Sequence, residues 1–227
     1  MNKKSIAIDG PAGAGKSTLA KALAAELGFL YVDTGAIYRT VGLFVYRKGV
    51  EPHDESAVAA LFGEIGVDMS YGEDGLQHML LNGEDVTKAI REHIISDYAS
   101  IVSAHPSVRA FLLEKQRDLA RRYDVIMDGR DIGTVVLPHA DLKIFLTASV
   151  EVRANRRYLE LQQRGEQVEF DAVLKDMRER DARDSNRAAA PLRQAEDAIR
   201  LDTTELELDE SLKKLTELAK EKLFHEE

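Results

Sequence analysis

Gly10-Pro11-Ala12-Gly13-Ala14-Gly15-Lys16-Ser17, with Thr18 behind it, is the stretch that decides the fold. It follows the short apolar run Ser5-Ile6-Ala7-Ile8-Asp9 and precedes a helix-forming run from Leu19 to Leu27. The pattern is G-x-x-x-x-G-K-[ST], in the strand-then-helix context that gives it meaning. Its glycines let successive backbone N–H groups turn inward as an anion-binding nest, and the helix N-terminus adds partial positive charge. Lys16 would then reach the β- and γ-phosphates of a nucleoside triphosphate, while the Ser17 hydroxyl would ligate Mg2+. An empty Gly-rich turn would explain Gly10 and Gly15 but gives no reason for Lys-Ser at the helix start. The open question is which group receives the phosphate.

A chain of 227 residues suits one α/β domain with an insertion, or one large and one small domain, and it can bury a substantial core. With 44% hydrophobic and 31% charged residues it has the composition of a soluble globular protein. The absence of cysteine excludes disulfides and thiolate metal sites and suits a reducing compartment. Met1-Asn2-Lys3-Lys4 is followed by too few apolar residues for a signal peptide, and no run reaches the length of a membrane span, so a cytoplasmic protein is expected. A net charge of −9 argues against nucleic acid or anionic lipid as a partner. Any anion must be met by a local basic cluster.

Beyond Gly28, Phe29 to Val32 reads as a second strand ending at Asp33, and Thr34 starts a helix reaching about Lys48. Asp33 and Thr34 are candidate helix caps. Arg39, one helical turn past a strand's carboxyl end, would point toward the crevice where α/β sheets bind ligands. Residues 54 to 65 look helical, and Val67-Asp68-Met69-Ser70-Tyr71, a turn at Gly72-Glu73-Asp74-Gly75 and Leu76 to Leu81 form a hairpin pattern before Asn82-Gly83 turns the chain again. Two helices over 92 to 103 and 106 to 122 follow, divided at His105-Pro106. A buried strand then ends in Asp128, a carboxylate placed to hold Mg2+ or its waters, and the loop Gly129-Arg130-Asp131-Ile132-Gly133-Thr134 sets an arginine and a second aspartate between glycines.

Leu142 to Thr147 is a further strand, with a helix from about Val150 to Arg164. On it Arg153, Arg156 and Arg157 share one face at i, i+3 and i+4. Arg180, Asp184 and Arg187 would make a second stripe at i, i+4 and i+7, two cations around a carboxylate. After the glycine-rich motif such groups suit phosphoryl transfer, because planar guanidinium groups contact phosphate oxygens in pairs. Gly165 and its polar neighbours suggest that these helices form a hinged flap. Ala198 to Thr203 reads as the last strand. The helix from about Asp209 to Leu223 would pack Leu212, Leu215 and Leu218 on the core.

Together the motif at Gly10, Asp33-Thr34-Gly35-Ala36-Ile37-Tyr38-Arg39, Leu81 to Thr87, Asp128 to Pro138 and Arg180 to Leu192 resemble the bacterial cytidylate kinases of the longer type. The resemblance covers nearly the whole chain. It implies a P-loop NTPase of the α/β class: a parallel five-stranded core sheet flanked by helices (1–35, 100–150 and 195–227), a monophosphate-binding insertion at about 36–99 and a helical lid at about 151–190. It implies ATP-dependent phosphorylation of CMP and dCMP to CDP and dCDP, with Mg2+; a monomer without an obligate protein partner is expected. By the resemblance the CMP phosphate falls to Arg39, Arg130 and Arg187, cytosine to Ser100, Arg109 and Asp131, and ribose to Arg180 and Asp184. Thr34 stands where some members carry serine, and both offer a hydroxyl. Lys16, Arg130 and Arg187 are the expected catalytic groups; Gly10 to Thr18, with Arg153 and Arg157, are expected to hold ATP. Ser17 is the expected Mg2+ ligand, with Asp33 and Asp128 acting through water.

The base assignment has a physical check. Cytosine presents an exocyclic amino donor that a carboxylate accepts, whereas uracil would set an acceptor against Asp131 and leave a buried charge unpaired. The rival readings are a kinase for another small acceptor and a nucleotide-binding switch. An alcohol acceptor would need a base and fewer arginines, and the switch reading lacks an Asn-Lys-x-Asp guanine motif.

Overall fold

The computed structural model describes residues 3–72 and 75–224. In chain order its elements are β1 (Ser5–Asp9), α1 (Lys16–Leu27), β2 (Leu30–Asp33), α2 (Thr34–Arg47), α3 (Glu55–Ala60), β3 (Val67–Tyr71), β4 (Gln77–Leu81), β5 (Glu84–Asp85), α4 (His93–Val102), α5 (Pro106–Arg122), β6 (Val125–Gly129), β7 (Leu142–Thr147), α6 (Val150–Gln163), α7 (Phe170–Asn186), β8 (Ile199–Asp202) and α8 (Leu208–Phe224). The main sheet has five strands in the order β2-β6-β1-β7-β8. β1 pairs in parallel with β6 and β7, and β7 with β8. The chain divides into two compact units, residues 1–30 with 123–227 and residues 31–122.

In the first unit, β1 and β6 are two of the three inner strands of the sheet, with β7 the third. Ile6, Ala7, Ile8, Val125, Ile126 and Met127 are all fully buried, as continuous apolar runs covered by helices on both faces must be. The register sets Ile8 beside Asp128 and Asp9 beside Gly129, so two carboxylates sit at the carboxyl ends of adjacent strands. α1 ends on Gly28 in the left-handed conformation. α6 starts on Ser149, whose hydroxyl accepts from the N–H of Val152 at 3.3 Å. α7 buries Val173 and Met177, and the same stripe carries Asp184 inward. The last helix turns a different face to the core than its leucines suggest: Ser211, Leu215, Ala219 and Leu223 are buried, while Leu212 and Leu218 are half-buried flanks. Strict i, i+4 spacing of mixed small and large residues decides the face here.

The second unit pairs β3 with β4 antiparallel, Met69 opposite Met79, and adds β5 through Asn82 and Gly83, both at positive φ. Of the expected hairpin turn, Glu73 and Asp74 lie outside the described residues. α2 and α4 approach so closely that a Cβ on Gly42 would stand 2.8 Å from the Ala99 nitrogen. Phe111 of α5 stacks on Phe62 at 4.6 Å. These contacts explain why the unit runs to Arg122, where the expected insertion stopped at 99: α4 and α5 pack with α2 and α3. No helix among the described residues is long and apolar enough to cross a membrane.

Candidate phosphate- and nucleotide-binding site

The glycine-rich loop leaves β1 at Gly10, which a side chain cannot replace: its Cβ would lie 1.9 Å from the carbonyl oxygen of Leu146 on β7. The loop re-enters helix at Gly15, the left-handed N-cap of α1, after which Lys16 and Ser17 open the first turn. Lys16 is buried and donates to the Pro11 carbonyl at 2.7 Å. Burial, then the nearby Arg130 cation, lower its pKa from 10.5 to about 7 against the pull of Asp128, Asp184 and Asp9. Ser17 Oγ donates to Asp128 Oδ2 at 2.9 Å, bringing together the hydroxyl and the carboxylate expected around a cation.

Past β6 the chain brings together the residues expected around the acceptor. Arg130 Nε donates to Asp184 Oδ2 at 2.7 Å, and Arg187 lies 3.4 Å from Asp131 Oδ1. Asp131 is 4% and Asp184 6% exposed, so neither carboxylate is a solvated surface group. Burial opposes ionisation of Asp184, but Arg130, with Arg180 and Arg187 behind it, holds the pKa below its ordinary value. Burial likewise opposes the charge on Arg130, and Asp184 more than restores it.

Arg187 corrects the expected helical stripe. α7 stops at Asn186, and Arg187 is extended, its Nε donating to the Ala190 carbonyl at 2.6 Å. Pro191 follows within four residues and cannot continue a helix. Arg187 thus reaches Asp131 from a loop. Arg180, within α7, enters through its electrostatic pull on Asp184.

The three arginines of α6 serve separate partners. Arg153 makes a bidentate pair with Asp181 at 2.6 and 3.1 Å and also donates to the carbonyls of Ala148 and Ala12. Arg156 donates to Thr203, and Arg157 to Glu160. Arg153 therefore fastens α7 and α6 to the phosphate loop. Nothing in the sequence pairs it with Asp181.

A further residue, Asp9, escaped the sequence reading. Its oxygens accept from Ile132 N at 2.8 Å and Gly133 N at 2.7 Å, across 123 and 124 residues of chain. Those amides open a five-residue π turn, Ile132–Val136, where a loop was expected. Burial raises the Asp9 pKa to about 6 although the two amides pull it down.

The second unit carries the other candidates. Asp33 caps α2 by accepting from Ala36 N at 2.8 Å, while its second oxygen accepts from Arg39 at 2.8 Å. Thr34 is buried in the first turn. Arg109 donates to the Ser103 carbonyl at 3.0 Å, and its guanidinium lies 5.4 Å from the Tyr38 ring centroid. The Ser100 hydroxyl is buried with no hydrogen-bond partner among the described residues. A native protein leaves few such groups, and a ligand is one way to satisfy them.

The family model described as cytidylate kinase matches residues 6–221. The cytidylate kinase of Caldicellulosiruptor bescii is 50% identical over 218 residues, 96% of each chain. That of Bacillus licheniformis is 45% identical over 223 residues, 98% of this chain and 99% of its own. That of Geobacter sulfurreducens is 46% identical over 217 residues, 96% of this chain and 93% of its own. Matches of this extent span the glycine-rich loop, the turn after β6 and the arginine-bearing end of α7 alike, and the chain belongs to the cytidylate kinase family.

Proposed function

We propose that this protein transfers the γ-phosphoryl group of ATP directly to CMP or dCMP, giving ADP and CDP or dCDP. The observation that carries the reading is the set of Arg130 and Arg187 paired with the buried carboxylates Asp184 and Asp131, in the unit that also bears Lys16. It combines guanidinium groups for a phosphate with a carboxylate for an amino group. In this reading Arg39, Arg130 and Arg187 take the CMP phosphate, Ser100, Arg109 and Asp131 the cytosine, and Arg180 and Asp184 the ribose, and Thr34 also belongs to the CMP-binding residues. Gly10 to Thr18 take the ATP phosphates and Arg157 adds to them, while Arg153 acts by holding the loop at Ala12.

The nucleophile is a phosphate oxygen, and a phosphomonoester with a second pKa of about 6 is already mostly ionised at pH 7. No general base is needed. Lys16 and the arginines offset repulsion between two polyanions and hold them in line. The flap of α6 and α7 would exclude water, the competing acceptor of the γ-phosphate.

The donor set fits Mg2+. Ser17 Oγ and Asp128 Oδ2 are hard oxygens already 2.9 Å apart, and the described residues contain no cluster of three or more His, Cys, Asp or Glu that would cage a metal. That is the pattern of an ion bound by one or two protein oxygens, with water and phosphate completing the shell. When bound, the ion would neutralise charge on the ATP oxygens. Asp33 belongs to the proposal only through water, because its oxygens already serve Ala36 and Arg39. A monomer working on cytoplasmic nucleotides without a protein partner completes the reading.

The test is a side-by-side assay of CMP, dCMP, UMP, AMP and GMP with ATP. CMP and dCMP should be strongly preferred; a clear preference for any other acceptor would overturn the proposal.

A further inference from the structure

Asp9 occupies an unusual place in the first unit. It is the last residue of β1, directly before Gly10, and it is 5% exposed. A carboxylate there would serve the core poorly unless both oxygens had work, because burial without hydrogen bonds is costly. Both do: each accepts one of two successive backbone N–H groups, from Ile132 and Gly133. Gly133 fits the approach closely, since a Cβ there would stand 3.1 Å from Lys143 Cδ and 3.4 Å from Asp9 Oδ2. The π turn held in this way begins at Asp131, whose carbonyl accepts from both Val135 and Val136. Arg130 and Asp131 are thus the two residues immediately ahead of the clamped pair, and β6 fixes them from the other side at Gly129.

We propose that Asp9 is a positioning residue: by bridging the Ile132 and Gly133 amides it ties the strand that launches the phosphate loop to the turn that aims Arg130 and Asp131, and so sets turnover and base choice together. The proposal rests on the assignment of Arg130 and Asp131 to CMP made above. The tether acts at one remove, as a partner that orients the contacting side chains without touching substrate. A carboxylate is the group this geometry demands, because it presents two acceptors to two donors. Asparagine has the same shape but must turn an NH2 toward one of the N–H groups, leaving that donor unsatisfied and the turn free to shift.

The test is Asp9→Asn and Asp9→Glu beside Asp131→Ala, with kcat and KM measured for ATP, CMP and UMP. For Asp9→Asn, kcat/KM for CMP should fall by about 100-fold, the size expected when contacting groups are displaced by about 1 Å. The CMP-to-UMP preference should narrow in the same direction as in Asp131→Ala, KM for ATP should stay near the wild-type value, and Asp9→Glu, which keeps two acceptors, should recover part of the loss. Wild-type turnover and selectivity in a folded Asp9→Asn protein, or equal loss on CMP and UMP with a raised KM for ATP, would overturn the proposal. An unchanged CMP-to-UMP ratio in Asp131→Ala would instead defeat the base assignment. Should Asp9→Asn fail to fold, hydrogen exchange of the wild-type Ile132 and Gly133 amides decides: strong protection supports the tether, and exchange at the rate of exposed loops sinks it.

Discussion

Asp184→Asn isolates the ion pair at the centre of the proposed acceptor site. The substitution keeps the side-chain shape and removes the charge facing Arg130 Nε at 2.7 Å. The two side chains are 20% and 8% exposed, so the pair is largely but not wholly withdrawn from water. Removing one partner of a buried pair costs about 3 to 5 kcal/mol, chiefly because the other charge stays behind. The residual exposure of Arg130 and the nearby Asp128 carboxylate place the expected loss at the low end, about 3 kcal/mol. In a chain of this length that is a fall in Tm of roughly 6 to 12 °C. The pH dependence has a definite sign. The folded-state pKa of Asp184 lies below its ordinary 3.8, so its contribution is present above that value and is lost as pH falls through the folded-state pKa. The gap between wild type and Asp184→Asn should therefore be constant near neutrality, begin to shrink below about pH 4 and go on shrinking as pH falls toward the lowered folded-state pKa. Thermal or urea unfolding of both proteins from pH 3 to pH 8, without nucleotide, measures it. A difference within about 0.5 kcal/mol at pH 7, or one that does not begin to shrink as pH falls below about 4, would refute the claim that Arg130 depends on this carboxylate.

Lys16→Ala should lower kcat by about 100-fold or more, yet Tm at pH 6 should not fall, since an ammonium whose pKa is depressed to about 7 costs stability where it is protonated; activity near wild type, or a marked loss of Tm, would contradict the role given to it. Asp131→Ala should narrow the CMP-to-UMP preference in kcat/KM by at least about tenfold, read from initial rates with both acceptors; an unchanged ratio would move base reading to another residue. Gly10→Ala should destabilise by roughly 3 kcal/mol and abolish ATP binding, because a Cβ 1.9 Å from the Leu146 oxygen forces the loop off β7; calorimetric titration with ATP and a thermal melt check both.

Much of this arrangement is local in the chain, and that part is legible in the sequence. The phosphate loop is one unbroken octapeptide, and Asp128 and Ser17 each belong to an element whose boundary is marked by composition. Helix starts at Thr34, Pro106 and Val150 follow from their caps or from proline. What escapes is set by contacts across the chain. Asp9 looks like the polar end of a strand until it meets amides 123 and 124 residues away. Arg153 shares a helical face with Arg156 and Arg157, yet Asp181 and Ala12 claim it while Thr203 and Glu160 take the others. Periodicity fixes which face a side chain leaves from; it does not fix which partner a long, flexible guanidinium finds. Arg187 shows the converse, a stripe continued by arithmetic one residue past the point where the helix ends.

The pairing pattern itself bears on how a polyanion enters. Each arginine assigned to the CMP phosphate has a carboxylate within its own unit: Arg130 has Asp184, Arg187 has Asp131 and Arg39 has Asp33. Lys16 differs, for its direct acceptor is the neutral Pro11 carbonyl, and burial leaves its pKa near 7. An arginine cannot shed its proton when buried, so it needs a permanent counter-charge to be tolerated in the unliganded protein. A lysine can lower its charge instead. In the proposed function, each arginine offered to the CMP phosphate is therefore held by an ion pair that the substrate would share or exchange. The triphosphate would meet a loop of backbone donors with a lysine whose pKa burial lowers and whose charge the ligand's phosphates would favour. In the proposed function, two anions that repel each other would thus meet two kinds of cation, arginines that keep their charge through a paired carboxylate and a buried lysine whose pKa is lowered, a difference that follows from the chemistry of guanidinium and ammonium.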